Sequence, residues 1–190
     1  MKKVILILSI LLFSSSSYGQ LTVDRDPPYD NASFLINDVL LSDNLSTSNH
    51  NYSGDSIQLG YFNGVNSNLG LNGGIVMGTG NIAMLDIDFV GIGDFINVNP
   101  IVTDPDLLDV ANSVPGLIGQ NFSVSSINDV AVLEFDFIPN SDTVSFNYVF
   151  GSQEYLFYEN SEFNDVFGFF ISGTGIFGEY ASPVGFQTEV

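Results

Sequence analysis

Side-chain oxygens that could bind a metal ion are concentrated in one stretch towards the C-terminal end of the sequence. Glu154, Asn164 and Asp165 lie beside Phe-rich segments, with Glu159 and Glu162 between them. Calcium takes six to eight oxygen ligands from carboxylates, Asn side chains and backbone carbonyls. These residues therefore predict a calcium site built on Glu154, Asn164 and Asp165. The alternative is that Asn164 and Asp165 cap a turn through bonds to the backbone, while the glutamates are solvated.

Two residue types that are central to nucleophilic catalysis, Cys and His, are scarce. The chain has no Cys and one His, His50, in a Ser- and Asn-rich stretch that favours an exposed position. Thiolate and His-rich zinc sites are therefore excluded, and a Ser-His pair would have to recruit His50. We expect a protein that is not an enzyme, with no cofactor other than calcium. The catalytic alternative is a glycoside-processing enzyme, which needs only a suitably spaced pair of carboxylates.

Two other groups of acids have simpler explanations. Asp86 and Asp88 are two residues apart and would share one face of a strand, where solvation accounts for them. Asp104, Asp106 and Asp109 surround the start of a predicted helix, where negative charge interacts favourably with the helix dipole. Neither group predicts a ligand site.

The first nineteen residues have the organisation of a secretory signal peptide. Lys2 and Lys3 form a positive N-terminal region, Val4–Phe13 is apolar, and the small residues of 14–19 lead to a cleavage site. The apolar run is too short to span a bilayer, which takes about 20 residues. The sequence therefore predicts export, with the mature chain secreted or at the cell surface and no transmembrane segment after cleavage.

Acidic residues dominate the charge. The chain has 22 Asp and Glu against 3 Lys and Arg, a net charge of −19. Loss of Lys2 and Lys3 with the leader leaves Arg25 alone against the same 22 acids, a net charge of −21. Nucleic acid is excluded as a partner, because phosphate contacts require Lys and Arg. The expected partner is a protein or a glycan at the cell surface.

The first half of the mature chain contains recognisable local elements. Asp30–Leu41 predicts a helix capped by Asp30 or Asn31, with Leu35, Val39 and Leu40 on one face. The polar stretch 42–54 predicts a loop or an exposed edge strand, and Ser56–Phe62 a strand. Ile75–Met77 predicts a short buried strand among glycines, and Thr103–Leu108 a helix start with Pro in its first turn.

The last third shows period-two patterning. Leu133, Phe135 and Phe137 alternate with acids in Val132–Ile138, and a similar alternation over 143–150 follows a turn signal. This predicts a β-hairpin with one buried face. Val166–Ile171 is apolar on both faces, as in a strand enclosed by a sandwich. The predicted fold is mainly β: a jelly-roll-like β-sandwich with one or two short helices.

Several of these segments carry a resemblance. Phe150–Tyr155 and Phe163–Phe170 resemble the signature of the choice-of-anchor L domain, found in exported bacterial proteins. Gly74–Asn81, Asp104–Leu107 and Asp129–Phe137 are weaker matches in the same order. The resemblance covers roughly residues 30–178 and implies export and surface display, with no defined chemistry.

The resemblance has two departures and sets the predicted domain organisation. Gln153 stands where the family usually has the first of two glutamates. The resemblance also implies later strands, which we expect to lie beyond Val190. The predicted organisation is a signal peptide over 1–19, a polar stretch over 20–29 and a choice-of-anchor L-like β domain over 30–190. We expect that domain to be incomplete at its C-terminus and the chain to be part of a longer protein.

Together these features favour a surface interaction or adhesion module, stabilised by calcium. The first alternative is a carbohydrate-binding domain in which tyrosines stack on sugars. The candidate tyrosines are Tyr155, Tyr158 and Tyr180. The less favoured alternative is the two-carboxylate enzyme.

Overall fold

A computed structural model describes residues 21–41, 45–86, 104–152, 165–174 and 184–185. The strands are β1 (Thr22–Asp24), β2 (Ser46–Ser53), β3 (Leu59–Asn63), β4 (Gly73–Met77), β5 (Val132–Ile138), β6 (Gly168–Phe169) and β7 (Val184–Gly185). They form three antiparallel sheets, with the order β1–β3–β4 in one and the pairs β2–β5 and β6–β7 in the others. The chain is mainly β, as predicted, while the packing of two sheets into a sandwich stays a prediction. The predicted signal peptide lies outside the described residues.

The predicted helix after Asp30 is present but wider than an α-helix. One α-helical turn, α1 (Ala32–Phe34), is capped by the Asn31 side chain, which accepts a hydrogen bond from the Phe34 backbone N–H at 3.1 Å. A π-helical turn over Leu35–Leu40 follows, and the Leu41 N–H donates to the Ile36 carbonyl five residues earlier. The wider turn changes the buried face.

The buried face therefore differs from the one predicted, which consisted of Leu35, Val39 and Leu40. Leu35 and Ile36 are fully buried, whereas Leu40 is 43% exposed and Val39 half-buried. The helical segment lies against β3 and β4, so its two buried residues join the core of the first sheet. The buried apolar residues with side chains among those described are Leu35, Ile36, Leu59, Phe62, Ile82, Val110, Ala111, Pro115 and Val130.

In the first sheet, β3 begins later along the chain than the strand predicted over Ser56–Phe62. Ser56–Gln58 forms a 3-10 turn closed by a capping box between Asp55 and Gln58, and the strand begins at Leu59. β4 confirms a strand at Ile75–Met77, but the prediction that it is buried is wrong: Ile75 is half-buried and Met77 39% exposed. Among the described strands β4 is the outer one of its sheet, with a partner on one side only.

In the second sheet, β5 pairs with a different strand from the one predicted. β5 places Phe135 and Phe137 on a half-buried face, but it pairs with β2, and residues 143–150 form no strand and are exposed. The Asn51 amide donates to Glu134 across this pairing at 3.1 Å. Period-two patterning identifies a strand and its faces but not its neighbour, so the predicted hairpin is wrong. β2 confirms the edge-strand alternative for 42–54.

The helix predicted near Thr103 is confirmed as α2 (Pro105–Leu117). Asp104 is its cap and accepts from the Leu107 N–H at 2.9 Å, and Pro105 is its first residue. The predicted strand over Val166–Ile171 is reduced to Gly168–Phe169.

Candidate functional site

Three aromatic rings from three different segments of the chain meet on the face of the first sheet. Tyr29 lies in the turn after β1, held by its N–H bond to the Asp26 carbonyl at 2.8 Å. Its ring stacks on Tyr61 of β3, with centroids 4.7 Å apart and planes 18° from parallel. Phe34 of α1 meets the same ring edge-on at 5.7 Å. Stacked and edge-on pairs are the favoured geometries for aromatic rings, so this cluster is well defined.

Two glycines at the start of β4 allow the rings of Tyr61 and Phe62 to lie close to the β4 backbone. A Cβ atom at Gly73 would come within 2.6 Å of the Tyr61 hydroxyl oxygen, and one at Gly74 within 2.9 Å of the Phe62 ring. Gly73 pairs with Asn63, two residues beyond Tyr61, so the Tyr61 ring reaches diagonally across the strand pair. A side chain at Gly73 would displace the Tyr61 ring.

The rings border an open cleft of about 500 Å³. This volume lies within the range of roughly 300–1,000 Å³ that is usual for small-molecule sites. Two polar side chains, Asp38 from the π-helical turn and Asn72 from the loop before β4, face the same space. In the described part of the chain, neither has a hydrogen-bond partner for its side chain. The remaining lining residues are Val39, Val65, Gly73 and Gly74. The site therefore combines aromatic faces with two polar groups that no other described side chain or backbone group engages.

The cleft, termed here the Tyr29–Tyr61 cleft, was not predicted from the sequence. The alternation around Tyr61 indicated a strand, and the dense glycines of 64–80 indicated turns. Neither pattern shows that Tyr29 and Phe34 come to the same place. The tyrosines predicted to bind sugars lie outside the described residues: Tyr155, Tyr158 and Tyr180.

The predicted calcium ligands are described only in part. Asp165 is exposed, and its Oδ2 atom accepts a hydrogen bond from the Ser152 hydroxyl at 2.7 Å. Glu154 and Asn164 lie outside the described residues, as do Glu159 and Glu162. Within the described ranges, no group of three or more His, Cys, Asp or Glu residues is close enough to hold a metal ion. The calcium site stays a prediction.

His50 has a structural position. It is half-buried on β2, with Nδ1 3.0 Å from the Ser33 hydroxyl and Nε2 2.9 Å from the Thr47 hydroxyl. The Thr47 hydroxyl donates to the Asn37 side-chain oxygen Oδ1, so it accepts from Nε2–H, and Nδ1 accepts from the Ser33 hydroxyl. The expectation of an exposed His is wrong, because the side chain connects β2 to the first helical segment.

The other acid groups are accounted for in part. Asp104 caps α2, and Asp106 lies exposed in its first turn, as the helix-dipole explanation predicts. The Asp86 side chain and Asp88 lie outside what the structure describes.

Comparison with known proteins gives one result. A family model described as the choice-of-anchor L domain matches residues 22–183, most of the chain. No curated protein and no solved structure matches the chain significantly. In the described part of the chain, no helix has the length and apolar character needed to cross a membrane.

Proposed function

Because the chain belongs to the choice-of-anchor L domain family, we propose that it is the interaction or adhesion module of an exported surface protein. The family accounts for its association with the cell surface. The finer proposal, adhesion, is supported by the poverty of catalytic residue types, with no Cys and one His already engaged in a structural contact. Family membership is the observation that carries the proposal of a surface module.

The charge of the surface restricts the partners. Most acids of the described ranges are exposed, among them Asp24, Asp38 and Glu134. At a net charge of −19, the chain repels anionic polymers and anionic membranes. The proposed partners are therefore neutral or cationic surface molecules, either proteins or glycans.

The test is binding of the full chain to intact cells. Beads coated with the chain should be retained by cells of the producing species, saturably and in competition with soluble chain. Beads coated with an unrelated acidic domain of equal net charge are the control. Equal retention of both sets of beads would contradict an interaction function.

We also propose that calcium stabilises the chain through Glu154, Asn164 and Asp165. Hard oxygen ligands and a large excess of carboxylates support this proposal. The described partner of Asp165, the Ser152 hydroxyl, occupies one of its two carboxylate oxygens and leaves Oδ1 for a cation.

The calcium proposal is tested by thermal unfolding at matched ionic strength. Replacing NaCl by CaCl2 should raise the melting temperature, and EGTA should reverse the rise. Asp165→Asn should reduce the calcium-dependent rise, whereas Asp142→Asn, at another exposed acid, should preserve it. Equal melting temperatures in the two salts would refute the site.

A further inference from the structure

We infer that the Tyr29–Tyr61 cleft binds a short neutral oligosaccharide. The inference rests on the proposed function, because it names the class of ligand that the interaction module would recognise. It is carried by one combination in a single cleft of about 500 Å³: stacked rings beside a carboxylate and an amide whose side chains have no partner in the described ranges.

The rings provide the apolar half of the site. Tyr29, Phe34 and Tyr61 are all half-buried, so part of each ring is held by the fold and part is accessible from the cleft. The ring contacts between them fix their orientation before any ligand arrives. A pyranose presents a face of C–H groups that packs against a flat aromatic surface. Preorganised rings lower the entropy cost of that contact.

The polar groups determine which apolar-faced ligand fits. The Asp38 carboxylate accepts hydrogen bonds only, whereas the Asn72 amide both donates and accepts. A sugar hydroxyl is at once donor and acceptor, so neighbouring hydroxyls satisfy both side chains. A proline-rich peptide offers mainly carbonyl acceptors, and Asp38 has no hydrogen to donate to them. These requirements favour a polyol over a peptide.

The negative charge of the chain further restricts the class of ligand. An anionic sugar would meet Asp38 and the field of a chain with a net charge of −19. A neutral oligosaccharide avoids this repulsion, and its hydroxyls hydrogen-bond to a carboxylate without ionic pairing. The ligand class is therefore neutral hexose or pentose oligomers.

The test is a titration of the full chain with neutral tetrasaccharides of glucose, mannose, galactose and xylose. Calorimetry and saturation-transfer NMR measure the binding. At least one should bind in the micromolar to millimolar range. Tyr61→Ala should weaken binding about tenfold by removing a ring platform. Asp38→Ala should weaken it by a similar factor, about tenfold, through loss of a charged acceptor. Because Asp38 is exposed, this second variant should keep its fold.

The controls separate the cleft from the rest of the surface. Tyr148→Ala removes a tyrosine that is 43% exposed and lies among Phe146, Phe167 and Phe169, outside the cleft. Its affinity should equal that of the wild type, and Tyr61→Phe should retain most of the binding. The melting temperature of each variant reports whether its fold is intact.

Three results would overturn the inference. They are no binding by any tetrasaccharide, binding that Asp38→Ala and Tyr61→Ala leave unchanged, and capture of a proline-rich peptide in place of sugar. If beads coated with the Asp38→Ala variant still bind cells saturably while no sugar binds the chain, the proposed interaction function stands and the cleft inference fails. Failure of the wild-type chain to bind cells would instead contradict the proposed function itself.

Discussion

Tyr52 on β2 donates its hydroxyl to the backbone carbonyl of Asp55, at 2.8 Å. Burial of the phenol, and then the negative charge of Asp55, raise the pKa of Tyr52 from its ordinary value of 10.0 to about 12. The neutral phenol is therefore the form that the folded chain favours. Between pH 10 and pH 12 the unfolded chain releases this proton first, so folding stability falls as the pH rises through that window.

We predict a specific alkaline dependence for Tyr52→Phe. At pH 8 the variant should be less stable by about 1 kcal/mol, the usual worth of one hydrogen bond. Because the ring is half-exposed, solvent screening limits the contribution that ionisation removes to about 1 kcal/mol. The difference between wild type and variant should therefore shrink from pH 10 upward.

Urea unfolding of both proteins at pH 8, 9, 10 and 11 measures this difference. Other titrating groups cancel in the comparison, because both proteins share them. A stability difference that stays constant from pH 8 to pH 11 would show that Tyr52 ionises no later in the folded chain than in the unfolded one.

Local contacts at single residues were predictable from the sequence, and distant ones were not. The caps at Asn31 and Asp104 each bind the backbone three residues away, a spacing that short motifs encode. Gln58 is different: its Nε2 atom donates to the Asp129 carbonyl, 71 residues along the chain. No local pattern specifies such a partner, and the same reason explains why the contact between Tyr29 and Tyr61 was missed.

Gln58 connects several elements. It is fully buried, its Oε1 atom accepts from the Asp55 N–H at 2.7 Å, and its Nε2 atom donates to Asp129 at 2.8 Å. The Gly78 N–H, just after β4, donates to the Gln58 backbone carbonyl at 3.0 Å. The side chain thus joins the start of β3 to the segment that leads into β5.

Gln58→Met should destabilise the fold by about 2–4 kcal/mol, because it removes the hydrogen bonds that the buried Gln58 side chain makes to the Asp55 N–H and the Asp129 carbonyl. Asn68→Leu, which also replaces an amide with an apolar group but at an exposed loop position, should change stability by less than about 0.5 kcal/mol. Chemical unfolding of the three proteins provides the measurement. Similar stabilities for Gln58→Met and wild type would show that Gln58 is dispensable to the packing of β3.

Substitutions at two glycines compare the tight packing of the first sheet with the looser packing around α2. A Cβ atom at Gly60 would lie 2.6 Å from the Asp24 backbone oxygen and 2.9 Å from the Ile82 side chain. Because a backbone atom cannot rotate away, Gly60→Ala should cost about 1–3 kcal/mol.

The matched variant is Gly116→Ala in α2, where a Cβ atom would meet no atom of the described residues within 4 Å. It should stabilise the chain by about 0.5–1 kcal/mol, since alanine loses less backbone entropy in a helix. Thermal unfolding should therefore move the two melting temperatures in opposite directions. A loss of stability in Gly116→Ala as large as that in Gly60→Ala would contradict the described packing.

At the level of elements, the sequence defined strands better than it defined sheets. The alternation of β5 was visible because side chains of a strand point to opposite faces in turn. Its pairing with β2 was not, since the bond between Asn51 and Glu134 joins residues 83 positions apart. The π-helical turn was missed because its apolar spacing also fits an α-helix, and only the bond from Leu41 to Ile36 distinguishes them.

The whole molecule is dominated by repulsion between carboxylates. Composition alone shows this excess, with 22 acids against 3 Lys and Arg. Opposite charges are too few to neutralise the acids within the chain, so solvent and counterions must screen them. The Debye length falls from about 30 Å at 0.01 M salt to about 10 Å at 0.1 M, which brings many pairs of surface acids beyond each other's field.

Stability should therefore rise with ionic strength, in contrast to a protein held by surface ion pairs. Between 0.01 M and 0.3 M NaCl we expect a gain of about 1–2 kcal/mol, or roughly 2–8 °C in melting temperature for a chain of this size. Scanning calorimetry in NaCl gives the measurement, and the same series in KCl controls for the identity of the cation. Equal curves in NaCl and KCl identify screening, and a further rise in CaCl2 at the same ionic strength belongs to the calcium site. A melting temperature that falls with NaCl would mean that attractive ion pairs outweigh the repulsion, and the charge excess would then not govern the stability of the folded chain.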